Sequence, residues 1–178
     1  MFQTFKKGLG IYLKRHQYRN AVTSDLWNSL SEASNINVGN MMDTWTKQTG
    51  FPVVSVEEIQ DNHGNTTAVT LTQRRFLSHG SCENDQFWIV PITICSMQDS
   101  NRVLSKVVME QNGSPQTFQL PKPEPGFVRI NPGAVSFYHV KYQETVLPSL
   151  MSALSENKFG PRDRLSVVLD LFALVSEL

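Results

Sequence analysis

The sequence predicts an α+β chain: a short helical N-terminal segment, a central antiparallel β-sandwich, and then helices again. Three observations lead there. Apolar residues recur at three- and four-residue steps up to about Thr49 and again after Tyr142, which is the spacing of one helix face. Between Pro52 and Tyr142 the period changes to about seven short runs rich in β-branched residues, separated by turn chemistry, with no helical stretch among them. No internal repeat or low-complexity tract argues for another architecture.

The first helix carries Phe2, Phe5, Leu9, Tyr12 and Leu13 on one stripe. A second begins at Thr23 or Ser24, either a good N-cap hydroxyl, with Asp25 in its first turn and Leu26, Trp27 and Leu30 as its inner side. It ends near Ser34-Asn35. A third runs from about Asn37 to Thr49 with Val38, Met41, Met42 and Trp45 inward, and Gly50 and Pro52 terminate it. Val53, Val54, Val56 and Ile59 then form a strand, and the cluster Asp61 to Asn65 turns it into a second strand where Thr67, Val69 and Leu71 alternate. Further extended runs are expected at Phe87 to Cys95, Val103 to Met109 and Thr117 to Leu120. Pro121 to Gly126 reads as a stiff connector. Phe127 to Ile130 and Val135 to Val140 read as a final pair around Asn131-Pro132-Gly133. Val146, Leu147, Leu150, Met151 and Leu154 restore helical spacing, and after a Gly160-Pro161 break a last helix carries Leu165, Val168, Leu169, Phe172 and Val175.

Composition bounds the possible functions. At 178 residues with 40% hydrophobic and 18% charged residues, the chain can build one ordinary core or two small ones. Lys plus Arg and Asp plus Glu number 16 each, so no long-range field attracts nucleic acid or anionic lipid. No stretch approaches the roughly 20 apolar residues of a membrane-spanning helix, and residues 1 to 10 lack the apolar run of a secretory signal. Cys82 and Cys95 are too few for a disulfide framework. Asn65-Thr66-Thr67 and Asn112-Gly113-Ser114 fit the N-glycosylation pattern, which matters only for a secreted chain.

Several sharp readings yield to ordinary ones. His79-Gly80-Ser81-Cys82 with Glu83 and Cys95 could be imagined as a soft metal site, but a loop histidine and two unrelated cysteines suffice. Gly133-Ala134-Val135-Ser136 does not make the G-x-S-x-G nucleophile elbow. Lys14-Arg15-His16 with Arg19 reads as the wet side of a helix rather than a docking patch. Trp27 and Trp45, in register with Leu30 and Met41, read as packing between helices rather than a ligand pocket.

Longer strings carry a family resemblance. Phe5-Lys6-Lys7-Gly8-Leu9 with Tyr12-Leu13 and Asn20-Ala21, then Ser24-Asp25-Leu26-Trp27, and above all Met42-Asp43-Thr44-Trp45-Thr46-Lys47-Gln48-Thr49-Gly50-Phe51-Pro52-Val53, resemble the zinc-dependent gluzincin aminopeptidases of the puromycin-sensitive, glutamyl and alanyl type. Leu71 to Leu77, Trp88 to Ile92, Ile130 to Gly133 with Phe137-Tyr138 and Tyr142, and Asp163-Arg164 with Asp170 to Leu174 follow in the expected order, so the resemblance spans nearly the whole chain. Ser136 and His139 stand where the family usually shows a glycine and an arginine, and a glycine-specific backbone angle would strain Ser136.

The resemblance implies a parent that uses zinc bound by H-E-x-x-H, two imidazoles one helical turn apart with the glutamate as general base, and a G-x-M-E-N sequence that grips the substrate amino group. Neither is in this chain. Of His16, His63, His79 and His139, none is followed by Glu or has His four positions on, and Met109-Glu110-Gln111-Asn112 has the wrong spacing for the amine anchor. Catalytic, cofactor-binding and metal-ligating residues are therefore expected to be none here, with zinc and peptide substrate belonging to the parent enzyme. The implied division is 1–51 as the helical tail of a thermolysin-like catalytic domain, 52–142 as the β-sandwich, and 143–178 as the start of an α-helical domain. Two functions are consistent with that: a non-catalytic segment bridging the catalytic and helical domains, as an expressed piece of a longer enzyme, or an autonomous binding or regulatory module that associates with a full-length aminopeptidase. Cytosolic and ectodomain relatives look alike over this region.

Overall fold

A computed structural model of the chain describes residues 2–78, 86–99, 101–110 and 112–175. They divide into two compact units, one running through Thr49 and the other from Gly50 onward.

Three helices make the first unit: α1 (Phe2–Arg15), α2 (Thr23–Ser34) and α3 (Val38–Thr46). Gly8 is buried where α1 meets α2, and a Cβ at that position would lie 2.8 Å from Leu30 Cδ2 and 3.0 Å from Leu30 Cα. The small residue is what lets the two backbones approach. The N-cap of α2 is Val22 rather than Thr23 or Ser24, because the Asp25 carboxylate accepts from Val22 N at 2.9 Å and draws Thr23 into the first turn. Asn35, at φ 57°, closes α2 in the left-handed conformation. Asn37 caps α3 by accepting from Asn40 N, and α3 stops at Thr46, short of the expected Thr49. There the Gln48 side-chain amide donates to the Thr44 carbonyl at 2.6 Å, the acceptor a continued helix would have given to Gln48's own N–H.

Among the described residues the strands that follow are β1 (Pro52–Gln60), β2 (Asn65–Arg75), β3 (Val90–Ser96), β4 (Val103–Met109), β5 (Gln116–Pro125), β6 (Val128–Ile130) and β7 (His139–Tyr142). They form one sheet of order β5-β2-β1-β7 and another of order β4-β3-β6. Pairing is antiparallel except for β1 with β7, which is parallel. The β1–β2 hairpin turns at Asp61, whose Oδ1 accepts from the His63 and Asn65 N–H groups, with Gly64 at φ 76°. A bulge leaves Thr67 unpaired between Thr66 and Ala68, so Thr66, Ala68, Val69, Leu71 and Gln73 are buried and Thr67 is not, against the simple alternation expected. Val53, Val54, Val69, Leu71, Trp88, Val90, Ile94 and Val128 are fully buried and define the core of this unit.

Two stretches depart from the sequence reading. The expected connector at Pro121 to Pro125 is strand, continuing β5 along the edge of its sheet, where a proline's missing N–H costs no ladder bond. The expected strand from Val135 begins only at His139. Before it comes a 3-10 turn over Pro132–Ala134, with Asn131, Gly133 and Ala134 all at positive φ, locked by Asn131 side-chain bonds to Ser136 N (2.9 Å) and Ser136 O (3.0 Å). Ser136 itself is not at positive φ, so the strain expected there falls on Ala134. This turn carries the chain from one sheet to the other, and β6 and β7 are not partners.

A 3-10 turn at Glu144–Val146 leads into α4 (Leu147–Ser155), and α5 (Pro161–Val175) follows. Val146, Leu150, Ala153, Phe159 and Val167 form a small core with Met97. The side of α5 read as apolar, Leu165, Val168, Leu169, Phe172 and Val175, stands exposed, whereas Asp163, Val167 and Asp170 face inward. Polar partners on the sandwich decide which side of α5 docks.

Candidate functional site

The partners of those two aspartates make the chain's most distinctive site. Arg129 sits mid-strand between Val128 and Ile130 in β6, 1% exposed, where a charge is expensive unless it is matched. Its guanidinium donates to Asp163 Oδ1 at 2.5 Å and lies 4.9 Å above the Phe159 ring. The same Asp163 oxygen accepts from Gly133 N at 2.5 Å. Asp163, in the first turn of α5, thus ties a strand of one sheet and the crossover turn to the helix N-terminus, where its negative charge is also favoured by the helix dipole.

Seven residues further along α5, Asp170 Oδ1 lies 2.8 Å from His139 Nδ1, at the start of β7. The Val140 backbone N–H also donates to the Asp170 carboxylate. Burial pushes the Asp170 carboxyl up to about 6, although the His139 hydrogen bond pulls the other way. The rings of Phe51 and Phe76 stand edge-on to the imidazole, with centroids 5.3 and 4.9 Å away. Between these anchors the Tyr142 hydroxyl accepts from Ile130 N at 3.1 Å and is held protonated well above its usual range by burial. A cavity of about 240 Å³ lies beside the seam, lined chiefly by Val140, Leu147, Leu150, Val167, Leu171 and Leu174.

These side chains tie α5 to a strand of each sheet and to the crossover turn. Cys95 is a free thiol, buried, with Sγ donating to the Arg129 carbonyl at 3.3 Å. Burial pushes it up to about 11, so it is a poor nucleophile at neutral pH. Among the described residues no three of His, Cys, Asp and Glu converge on one point. His16 lies 4.0 Å from Asp25 and against the Tyr12 ring, His63 lies in the exposed β1–β2 turn, and His139 meets Asp170. Among the described residues none of these histidines stands within a set of three such ligands. His79 to Glu83, named above as an imagined soft site, lie outside the described residues.

The other sequence-flagged groups fall apart similarly. Arg15 pairs with Glu32 across α1 and α2 at 2.8 Å, with both side chains about half exposed, while Lys14 and Arg19 are exposed. Trp27 and Trp45 are half-buried. The Glu110 carbonyl accepts from the side chains of Gln73 and Gln116, so this string serves strand architecture. Sequence reasoning passed over Arg129, and one signal could have found it: a lone arginine amid the apolar run Phe127 to Ile130 must have a buried counter-charge.

Comparison with known proteins supplies the class. Residues 2–45 match the model of the peptidase family M1 domain. Over 97% of its length the chain is 40% identical to the puromycin-sensitive aminopeptidase of Caenorhabditis elegans, 36% identical to the glutamyl aminopeptidase of Mus musculus and 35% identical to aminopeptidase M1-A of Oryza sativa subsp. japonica. By sequence the chain belongs to the M1 aminopeptidase family, and it spans 18 to 19% of the length of those relatives.

Proposed function

We propose that the chain is a non-catalytic bridging segment of a zinc aminopeptidase that removes N-terminal residues from peptides. In this reading residues 1–51 are the tail of the catalytic domain, 52–142 the sandwich, and 143–178 the opening of a helical domain. Zinc and the peptide would be held by other parts of the enzyme, which are the partners of this piece. The observation that carries the reading is the Asp163 knot: one carboxylate binds both Arg129 of β6 and Gly133 N, so α5 leaves the sandwich in a fixed direction. Such a knot suits a segment that must pass orientation from one domain to the next.

Two measurements test this. Purified chain supplied with zinc and aminoacyl reporter substrates is expected to show no turnover; chelator-sensitive hydrolysis at the rate of a zinc aminopeptidase would overturn the reading. Transcript sequence ahead of Met1 is expected to continue in frame into H-E-x-x-H. A stop codon there would favour the second reading, a binding module for a full-length aminopeptidase, which the exposed apolar side of α5 supports. Co-elution of the chain with such an enzyme would then be the result to look for.

A further inference from the structure

Between β4 and β5 lies the chain's one Asn-Gly pair, Asn112-Gly113. Asn112 is exposed, yet its carboxamide is held in a defined pose. Ser114 N donates to Asn112 Oδ1 at 3.2 Å, and Gln116 Nε2 donates to the same oxygen at 3.0 Å. The Gln116 amide has one orientation open to it, because Glu110 N donates to its Oε1 at 2.9 Å and leaves Nε2 for the Glu110 carbonyl and for Asn112. Little but glycine fits after Asn112: Gly113 lies at φ 67°, and a Cβ there would lie 2.5 Å from Phe87 Cζ.

We propose that Asn112 is a self-modification site, where the turn assists conversion of the asparagine to aspartate and isoaspartate through a cyclic imide. The Gly113 nitrogen attacks the side-chain amide carbon of Asn112, which forms a C–N bond and pushes negative charge onto Oδ1. That charge returns to expel Nδ2 as ammonia, which takes up the proton given to solvent by the Gly113 nitrogen. Water then opens the imide at either carbonyl. One opening leaves aspartate in an ordinary chain, and the other leaves isoaspartate, with the main chain running through the former side chain. Water is consumed, ammonia is released, and nothing is oxidised or reduced.

The turn serves that route in three ways. Charge builds on Oδ1 during the attack, and two N–H donors already point at that atom in the manner of an oxyanion hole. The ring closed by the Ser114 bond contains both the carbon attacked and the nitrogen that attacks it. Glycine places no side chain between them. Asparagines elsewhere are less well placed. Asn131 precedes Pro132, which has no N–H to give up. Asn65 precedes the fully buried Thr66, and its Nδ2 is held by the Asp61 carboxylate at 3.0 Å. Asn62 and Asn101 are exposed in turns but precede the bulkier His63 and Arg102.

Incubation of the whole chain at constant temperature and near-neutral pH tests the proposal, with conversion at each asparagine followed by peptide mass analysis and isoaspartate by its capacity to accept a methyl group from an isoaspartyl methyltransferase. Asn112 is expected to convert ahead of Asn62 and Asn101, and faster in the folded chain than in the same chain unfolded in denaturant. Gln116→Glu keeps the acceptor for Glu110 N but removes the donor to Asn112, and should slow conversion about two- to tenfold. Earlier conversion at Asn62 or Asn101, or a rate in the folded wild-type chain no higher than in the unfolded one, overturns the proposal whether or not the variant folds. An unchanged rate in folded Gln116→Glu does the same.

Discussion

The helical unit and the sandwich unit are built on different terms. Among the described residues of α1 to α3 only Gly8, Ser29, Leu30 and Thr44 are buried, and Phe2, Phe5 and Leu13 stand exposed. The sandwich buries a dense set of large apolar side chains, each contributing about 1.5–3 kcal/mol. The first unit is therefore held by caps and a close approach of backbones, and the second by a core. Most of the resistance to unfolding should lie in the second.

The comparison can be broken from its strong side first. Trp88→Ala removes a fully buried side chain and should cost about 3–5 kcal/mol in denaturant unfolding of the sandwich. Next, Asp163→Asn takes the counter-charge from a buried arginine and should cost about 3 kcal/mol, read as a lower Tm together with faster exchange in α5. A loss below about 1 kcal/mol in either would show that the sandwich is not the stable unit.

Glu58 gives a middle-sized effect. Burial pushes its carboxyl up to about 7, despite hydrogen bonds from Val128 N and Thr66 Oγ1 that act against this. The folded state thus binds the proton more tightly than the unfolded chain, so stability is greatest below about 4.5 for this group and declines as pH rises through 7. The decline should be about 1–3 kcal/mol, and Glu58→Gln should abolish it in urea titrations at several pH values.

The smallest test sharpens the account of the helical unit. Ala normally stabilises a helix over Gly by about 0.5–1 kcal/mol. Gly10→Ala meets no atom within 4 Å and should show that gain, whereas Gly8→Ala drives a methyl against the Leu30 backbone and should cost about 1–2 kcal/mol. Thermal melts of the pair should move in opposite directions, and movement in the same direction would mean that the α1–α2 contact yields easily.

Much of this was legible in residue order. Alternation and turn chemistry placed β1 to β4 and β6 approximately, because period-2 patterning and an Asp-to-Asn turn are local properties, while β5 was cut short at Leu120 and β7 was set too early. The site was not legible: Asp163 and Asp170 occur only within strings that carry the family resemblance and His139 only as a departure from it, and the pairs they form span 34 and 31 residues, which no local rule joins. The helix face of α5 was misjudged for the same reason, since spacing identifies an apolar stripe without saying what will meet it.

By itself, then, the sequence determined the α+β order, the absence of an H-E-x-x-H string and the kinship with M1 aminopeptidases, all carried by near neighbours in the chain. Tertiary structure alone decided that β7 runs parallel to β1, that Pro121 to Pro125 is an edge strand, and that α5 docks by its acidic side. Those choices depend on which distant groups can neutralise a buried charge or complete a sheet, and that is settled only when the chain is brought together.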